Sequence, residues 1–206
     1  MPTAHIECIE NAGRERRARR LVFSDGLGSR TTSASVLRVL SLEAGDEVDT
    51  AELESEIAAL EPEHCRERAL RILGYRDRSI AEMRVRLIDD GYPEPAVAEV
   101  VDDLVACGLL DDARFASAWV RARAAASFGP QRVRRELVGK GVDPDVIDVA
   151  LSDVFVEDEA DRARRLLRGP APATRQERDR WVRRLIRKGF DLSTALKAVD
   201  TYDEGE

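Results

Sequence analysis

The chain has 206 residues, of which 43% are hydrophobic, 5% aromatic and 35% charged, with a formal net charge of -7. So few aromatics beside so much charge argue against a large single-core enzyme and for helical surfaces around modest aliphatic cores, while the acid excess excludes a uniformly basic nucleic-acid-binding surface. Apolar runs broken by charge, and an N-terminus without a basic-then-apolar leader, predict a cytoplasmic protein with no membrane segment. Cys8, Cys65 and Cys107 are widely separated and form no CxxC pair, so neither a disulfide framework nor a zinc site is expected.

In chain order, His5 to Ile9 and Arg20 to Phe23 are β-leaning runs separated by Asn11-Ala12-Gly13, with Asp25-Gly26 as a second turn signal, and they predict a small hairpin. Ser33 to Leu40 and Thr50 to Leu60 then read as two short helices split by the turn cluster Glu43-Ala44-Gly45-Asp46. From about Glu63 onward the start and stop signals are helical. Ser79 to Glu82 and Thr174 to Glu177 fit the capping-box pattern, and Gly129-Pro130 and Asp143-Pro144 put proline at a first helical position.

An internal period organises this helical region. Leu87 with Gly91-Tyr92 recurs as Leu137 with Gly141-Val142 and as Leu185 with Gly189-Phe190. Met83, Val133 and Trp181 precede that leucine in register; Val97, Ile147 and Ala195, then Val101, Leu151 and Val199, follow it. The pattern predicts three related units of three helices each, the second helix ending at a glycine able to adopt the left-handed conformation. Such units bury little core alone and are expected to stack. The fold expected is mainly α: an N-terminal extension of a β-hairpin and two short helices (1–60), then helical repeats at 63–112, 113–156 and 157–206.

No catalytic constellation is present. His5 and His64 are the only histidines and neither lies in a nucleophile, base or metal pattern; with no phosphate-binding glycine loop either, no catalytic residue, metal or cofactor is expected. The chain reads as a binding protein. Its basic residues are local: Arg132, Arg134 and Arg135 with Lys140 lie on or just past one helix, and Arg180, Arg183, Arg184, Arg187 and Lys188 occupy the matching helix of the third unit. Spacings of three and four place Arg180, Arg183, Arg184 and Arg187 on one face. Taken as charge patterning these are most simply solvated helix faces, with Lys140 and Lys188 completing helix C-termini. Arg14, Arg16, Arg17, Arg19 and Arg20 are assigned to protection of a hairpin edge, and Phe115, Trp119 and Phe128 to a core face in preference to partner anchors.

The run Ala69-Leu70-Arg71-Ile72-Leu73, Arg76 to Ser79, Glu82-Met83, Leu87 and Gly91-Tyr92 resembles the first repeat of the RecX regulatory proteins, bacterial modulators of the RecA recombinase. Gly108-Leu109-Leu110-Asp111-Asp112, Arg114-Phe115-Ala116, Gly129-Pro130-Gln131-Arg132-Val133, Glu136-Leu137 and Lys140-Gly141-Val142 are similar to that family's second repeat. The resemblance is strong over 63–154 and looser over 158–202. It implies three tandem three-helix repeats in a curved solenoid, and a monomer whose partner is the RecA filament, with single-stranded or duplex DNA as a further contact. It also implies lowered RecA ATPase and strand exchange, hence regulation of DNA repair, recombination and the SOS response, and it moves the nine basic residues from solvated face to partner-binding surface. The alternative is a direct DNA-binding helical module with no RecA requirement. One departure stands out: where Lys140 and Lys188 precede the glycine, the first repeat has Asp89-Asp90, acids that oppose the helix dipole, so either a nearby arginine offsets them or this end of the solenoid faces a different surface from that of repeats two and three.

Overall fold

The computed structural model describes residues 3–13, 16–24, 26 and 28–202. Arg14 of the N-terminal arginine run and Asp25 of the expected Asp25-Gly26 turn lie outside them. The chain divides into two compact units, Met1–Asp111 and Asp112–Glu206.

In the first unit, β1 (Thr3–Ala12), β2 (Ala18–Phe23), β3 (Ser29–Ser33) and β4 (Glu47–Asp49) form an antiparallel sheet in the order β3-β2-β1-β4. The expected hairpin is its centre, and β3 and β4 extend it on either side. Alternation buries Ala4 and Ile6 from β1, Leu21 of β2 packs with Ile6, and α1 (Ala34–Leu40), capped by the Ser33 hydroxyl, adds Val36 and Leu37 to that core.

The helix expected over Thr50–Leu60 continues as α2 (Thr50–Leu73) straight through Pro62, so the boundary expected between residues 60 and 63 falls inside a helix. Proline in a helix interior removes a hydrogen bond and strains the preceding turn. Burial on both sides outweighs that cost: Leu53 and Ile57 pack under the sheet, while Cys65, Ala69 and Ile72 enter a second core shared with α3 (Ile80–Asp89) and α4 (Glu94–Ala106). Between them Glu61 is buried, its carboxylate accepting from Arg30 Nη2 at 3.0 Å and Thr32 Oγ1 at 2.7 Å. Burial pushes the Cys65 thiol up to about 12, so it packs as an apolar residue.

The second unit holds two three-helix bundles. The first comprises α5 (Asp112–Ala125), α6 (Pro130–Val138) and α7 (Pro144–Val154) around Val120, Val133, Leu137 and Ile147. The second comprises α8 (Glu159–Arg164), α9 (Arg175–Lys188) and α10 (Leu192–Asp200) around Ala163, Val182, Leu185, Phe190 and Ala198. Gly91, Gly141 and Gly189 all have positive φ, at 97°, 73° and 100°. In each case the following N–H reaches back to the leucine of the motif, Tyr92 to Leu87, Val142 to Leu137 and Phe190 to Leu185, each at 3.2 Å, which is the Schellman closure of a helix C-terminus. Pro130 and Pro144 open their helices, Ser79 accepts from the Glu82 N–H, and Thr174 with Glu177 forms a complete capping box. Only Trp181 departs from the register: it is half-buried, and its neighbour Val182 takes the inward place. Among the described residues no helix is long and apolar enough to cross a membrane and no cluster of side chains could hold a metal ion.

Candidate functional site: cations over aromatic rings

The α8–α10 bundle docks on the α5–α7 bundle through helix ends. Carbonyls at the α9 C-terminus meet N–H groups at the α6 N-terminus: Gly129 N donates to Lys188 O at 2.8 Å and Gln131 N to Gly189 O at 3.1 Å. Both sets of groups are the ones a helix leaves unsatisfied, and the opposed partial charges of the two ends attract. The approach is so close that a Cβ on Gly189 would lie 2.7 Å from Arg132 N, and one on Gly129 2.5 Å from Gly189 O.

This docking brings Lys188 to the start of α6, where Phe128 and Trp119 sit half-buried with one side against the core. Four cations cover their rings. The Arg132 guanidinium lies 4.0 Å from the Phe128 centroid and the Lys188 ammonium 4.9 Å from it, while Arg123 and Lys140 lie 4.5 and 4.3 Å from the Trp119 centroid. Each contact draws a cation to the electron-rich face of a ring. Glu136 ties the group together, accepting from Trp119 Nε1 and Arg132 Nε at 3.1 Å and pairing with Arg123 Nε at 2.6 Å. Partial burial works to raise the Glu136 pKa, but the bonds from Arg132 and Trp119 and the charge of Arg123 outweigh it and hold the carboxyl below its ordinary value. Four cations around one carboxylate leave a patch of net positive charge on a chain whose total is negative.

Of the nine basic residues expected to act together, the structure gathers Arg132, Lys140 and Lys188 and distributes the rest. Arg134 pairs with Asp148 on α7, Arg135 donates to Gln131 O, and Arg183 donates to Asp179 O. Arg180 lies close enough to Glu177 to help lower that carboxyl's pKa. Arg184 and Arg187 are exposed on α9, and neither side chain has a polar partner among the described residues. Trp119 and Phe128, assigned from sequence to a core face, have a second role as platforms for charge. Arg123 stands outside every motif of the sequence and Glu136 enters only through the second-repeat resemblance; the spacing of four between Arg132 and Glu136 was the one available signal of their pairing.

In the first unit the position equivalent to Lys140 and Lys188 is Asp90, and it is buried. Arg68 Nε approaches it to 2.6 Å, Arg86 Nε to 3.7 Å and Arg17 Nε to 4.0 Å. Arginines therefore offset the acid at this helix end.

The site is a cationic surface carried on tandem three-helix domains. Residues 65–104 match the family model described as "RecX, first three-helix domain" and residues 111–151 the one described as "RecX, second three-helix domain". The chain is 40% identical over 148 residues to the regulatory protein RecX of Mycobacterium sp. (strain JLS), covering 66% of this chain and 80% of that one. It is 38% identical over 144 residues to that of Mycobacterium avium (strain 104), covering 66% and 83%. A crystal structure of regulatory protein RecX superposes with a TM-score of 0.60 at 25% identity, covering 96% of this chain and 99% of that one; RecX from Lactobacillus salivarius shares the fold, with a TM-score of 0.60 at 21% identity over 69% and 96%. The chain belongs to the RecX family of regulatory proteins.

Proposed function

We propose that this protein binds the RecA–DNA filament and lowers RecA ATP hydrolysis and strand exchange, so restraining recombination and the SOS response. It acts in the cytoplasm as a monomer, by contact and not by catalysis. Family membership supports the class of partner. The observation that carries the surface is the pair Arg184 and Arg187, exposed on α9 with no polar partner among the described residues, in the same bundle as Lys188 of the cation–ring cluster. Guanidinium groups without an internal carboxylate are available to acidic groups of a partner.

The test is ATP hydrolysis by RecA on single-stranded DNA, titrated with the unmodified protein and with Arg184→Glu/Arg187→Glu. Both residues are exposed, so folding should change by no more than about 0.5 kcal/mol, while reversing two interfacial charges should raise the concentration needed for inhibition by roughly tenfold to a hundredfold. No inhibition by the unmodified protein refutes the RecA assignment, and full inhibition by the double variant removes the surface from α9. The alternative, direct DNA binding with no RecA requirement, predicts affinity for naked DNA that falls steeply and linearly with log salt. Cations already lie over Phe128 and Trp119, which disfavours base stacking there and leaves phosphate contact as that reading's only support.

A further inference from the structure

The first unit contains a pocket that the filament reading does not use. It is a cavity of about 100 Å³ between α1, α2 and the start of β2, and Arg17, Arg38, Arg68 and Arg71 all line it. Glu67 and Asp90 are its acids, so four guanidinium groups line the pocket against two carboxylates, and the single charge of Asp90 is already faced by Arg17, Arg68 and Arg86. Arg38 and Arg71 are exposed, stand in the last turns of α1 and α2, and have no side-chain partner among the described residues. The pocket is therefore net positive, with two uncommitted guanidinium groups at its mouth. A chain of hydroxyls lines its wall, Ser33 Oγ to Ser35 Oγ at 2.8 Å and Ser35 Oγ to Tyr92 Oη at 3.0 Å, and Tyr92 Oη donates onward to His64 O at 3.0 Å.

From this geometry we infer a binding site for one terminal phosphate group, a phosphomonoester such as a 5′-phosphorylated nucleic-acid end or a nucleotide. Three features select that chemistry. The volume exceeds by several-fold the roughly 10–15 Å³ that a single water needs, room enough for one small anion. Guanidinium groups arrive from α1, from α2 and from the segment leading into β2, and several donor forks converging on one pocket suit a phosphate group with three free oxygens. A monoester presents three terminal oxygens to these groups, whereas a diester within a strand presents two. The site shares no residue with the cation–ring cluster and does not depend on the RecA reading.

The experiment compares the full-length protein with Arg38→Ala/Arg71→Ala, whose exposed side chains can be removed without touching the Asp90 arginines. Binding to a short 3′-labelled oligonucleotide bearing either a 5′-phosphate or a 5′-hydroxyl is followed by fluorescence anisotropy. The melting temperature is followed with added inorganic phosphate against chloride of matched ionic strength. Two lost charge-assisted hydrogen bonds correspond to roughly tenfold or more in affinity. The expected result is about that preference for the 5′-phosphorylated strand in the unmodified protein, abolished in the double variant, with affinity for the 5′-hydroxyl strand unchanged. Stabilisation by inorganic phosphate that is lost in the variant, without strand preference, assigns the site to a free phosphate or nucleotide. Equal binding of both strands with no phosphate-dependent stabilisation overturns the inference, as does a preference or stabilisation that survives in the double variant.

Discussion

The ends of the second helix in the first and third repeats have the same backbone and opposite electrostatics. Gly91 and Gly189 are both left-handed, both close a Schellman turn and both are pressed against a neighbour. For Gly189 that neighbour is the start of α6; for Gly91 it is the sheet, where a Cβ would lie 2.7 Å from Ala18 Cβ and from Thr32 O. The N-terminal sheet thus does for the first repeat what the second repeat does for the third. The residue before the glycine follows the surface it meets. Lys188 lies over Phe128, while Asp90 is buried among arginines of β2's approach, α2 and α3. A repeat fixes where its helix stops, and the partner surface decides which charge is tolerated there.

Exchanging those charges should break the comparison most severely. Asp90→Lys would bury a cation beside Arg17, Arg68 and Arg86, and leaving a buried ionic group unpaired costs about 3–5 kcal/mol; chemical denaturation should show the first unit destabilised or unfolded. A variant that keeps wild-type stability would mean that the arginines are not held by Asp90. Next in size is the glycine. Gly189→Ala carries both a left-handed backbone and a backbone clash with Arg132, and should cost about 2–4 kcal/mol. Gly169→Ala has a similar φ of 106° and open space around it, so strain alone remains, about 1 kcal/mol. Equal losses from the two substitutions would show that docking at Gly189 adds nothing.

The smallest effect is a pH dependence. The Glu136 carboxyl is held below its ordinary value in the folded protein, so its contribution to stability is present above the unfolded value of about 4.3 and is lost as pH falls through the lower folded value. The melting temperature of the wild type should therefore drop more steeply across that acidic range than that of Glu136→Gln. Parallel profiles would mean that Arg123, Arg132 and Trp119 do not depend on the carboxylate charge.

Most of the repeat architecture was legible because it is written in local chemistry. The glycine at each helix end, the prolines at first helical positions and the Thr174–Glu177 box each act within a few residues, and the structure places them as the sequence predicts. Strand β3 was not legible: its segment Ser-Arg-Thr-Thr-Ser has no apolar alternation, and Thr32 is buried because it donates to Glu61, far along the chain. The convergence of Arg132 and Lys188 was equally invisible, since it arises from how one bundle seats on another. Placing Arg132, Arg134 and Arg135 on or just past one helix did not tell their neighbours apart: Asp148 pairs with Arg134, while Phe128 and Glu136 meet Arg132.

Pro62 has a kinetic consequence. With no N–H at that position, α2 lacks one rung of its hydrogen-bond ladder between the core beneath the sheet and the core of the first repeat. A 24-residue helix, about 36 Å long at 1.5 Å per residue, is thereby divided into two segments, one packed in each core, that meet at an interrupted turn. Helices bend and open at such points. Amide exchange around residues 58–62 should outrun that at Ile57 or Ala69, making this seam the place where strain between the sheet and the first repeat is relieved without melting either core.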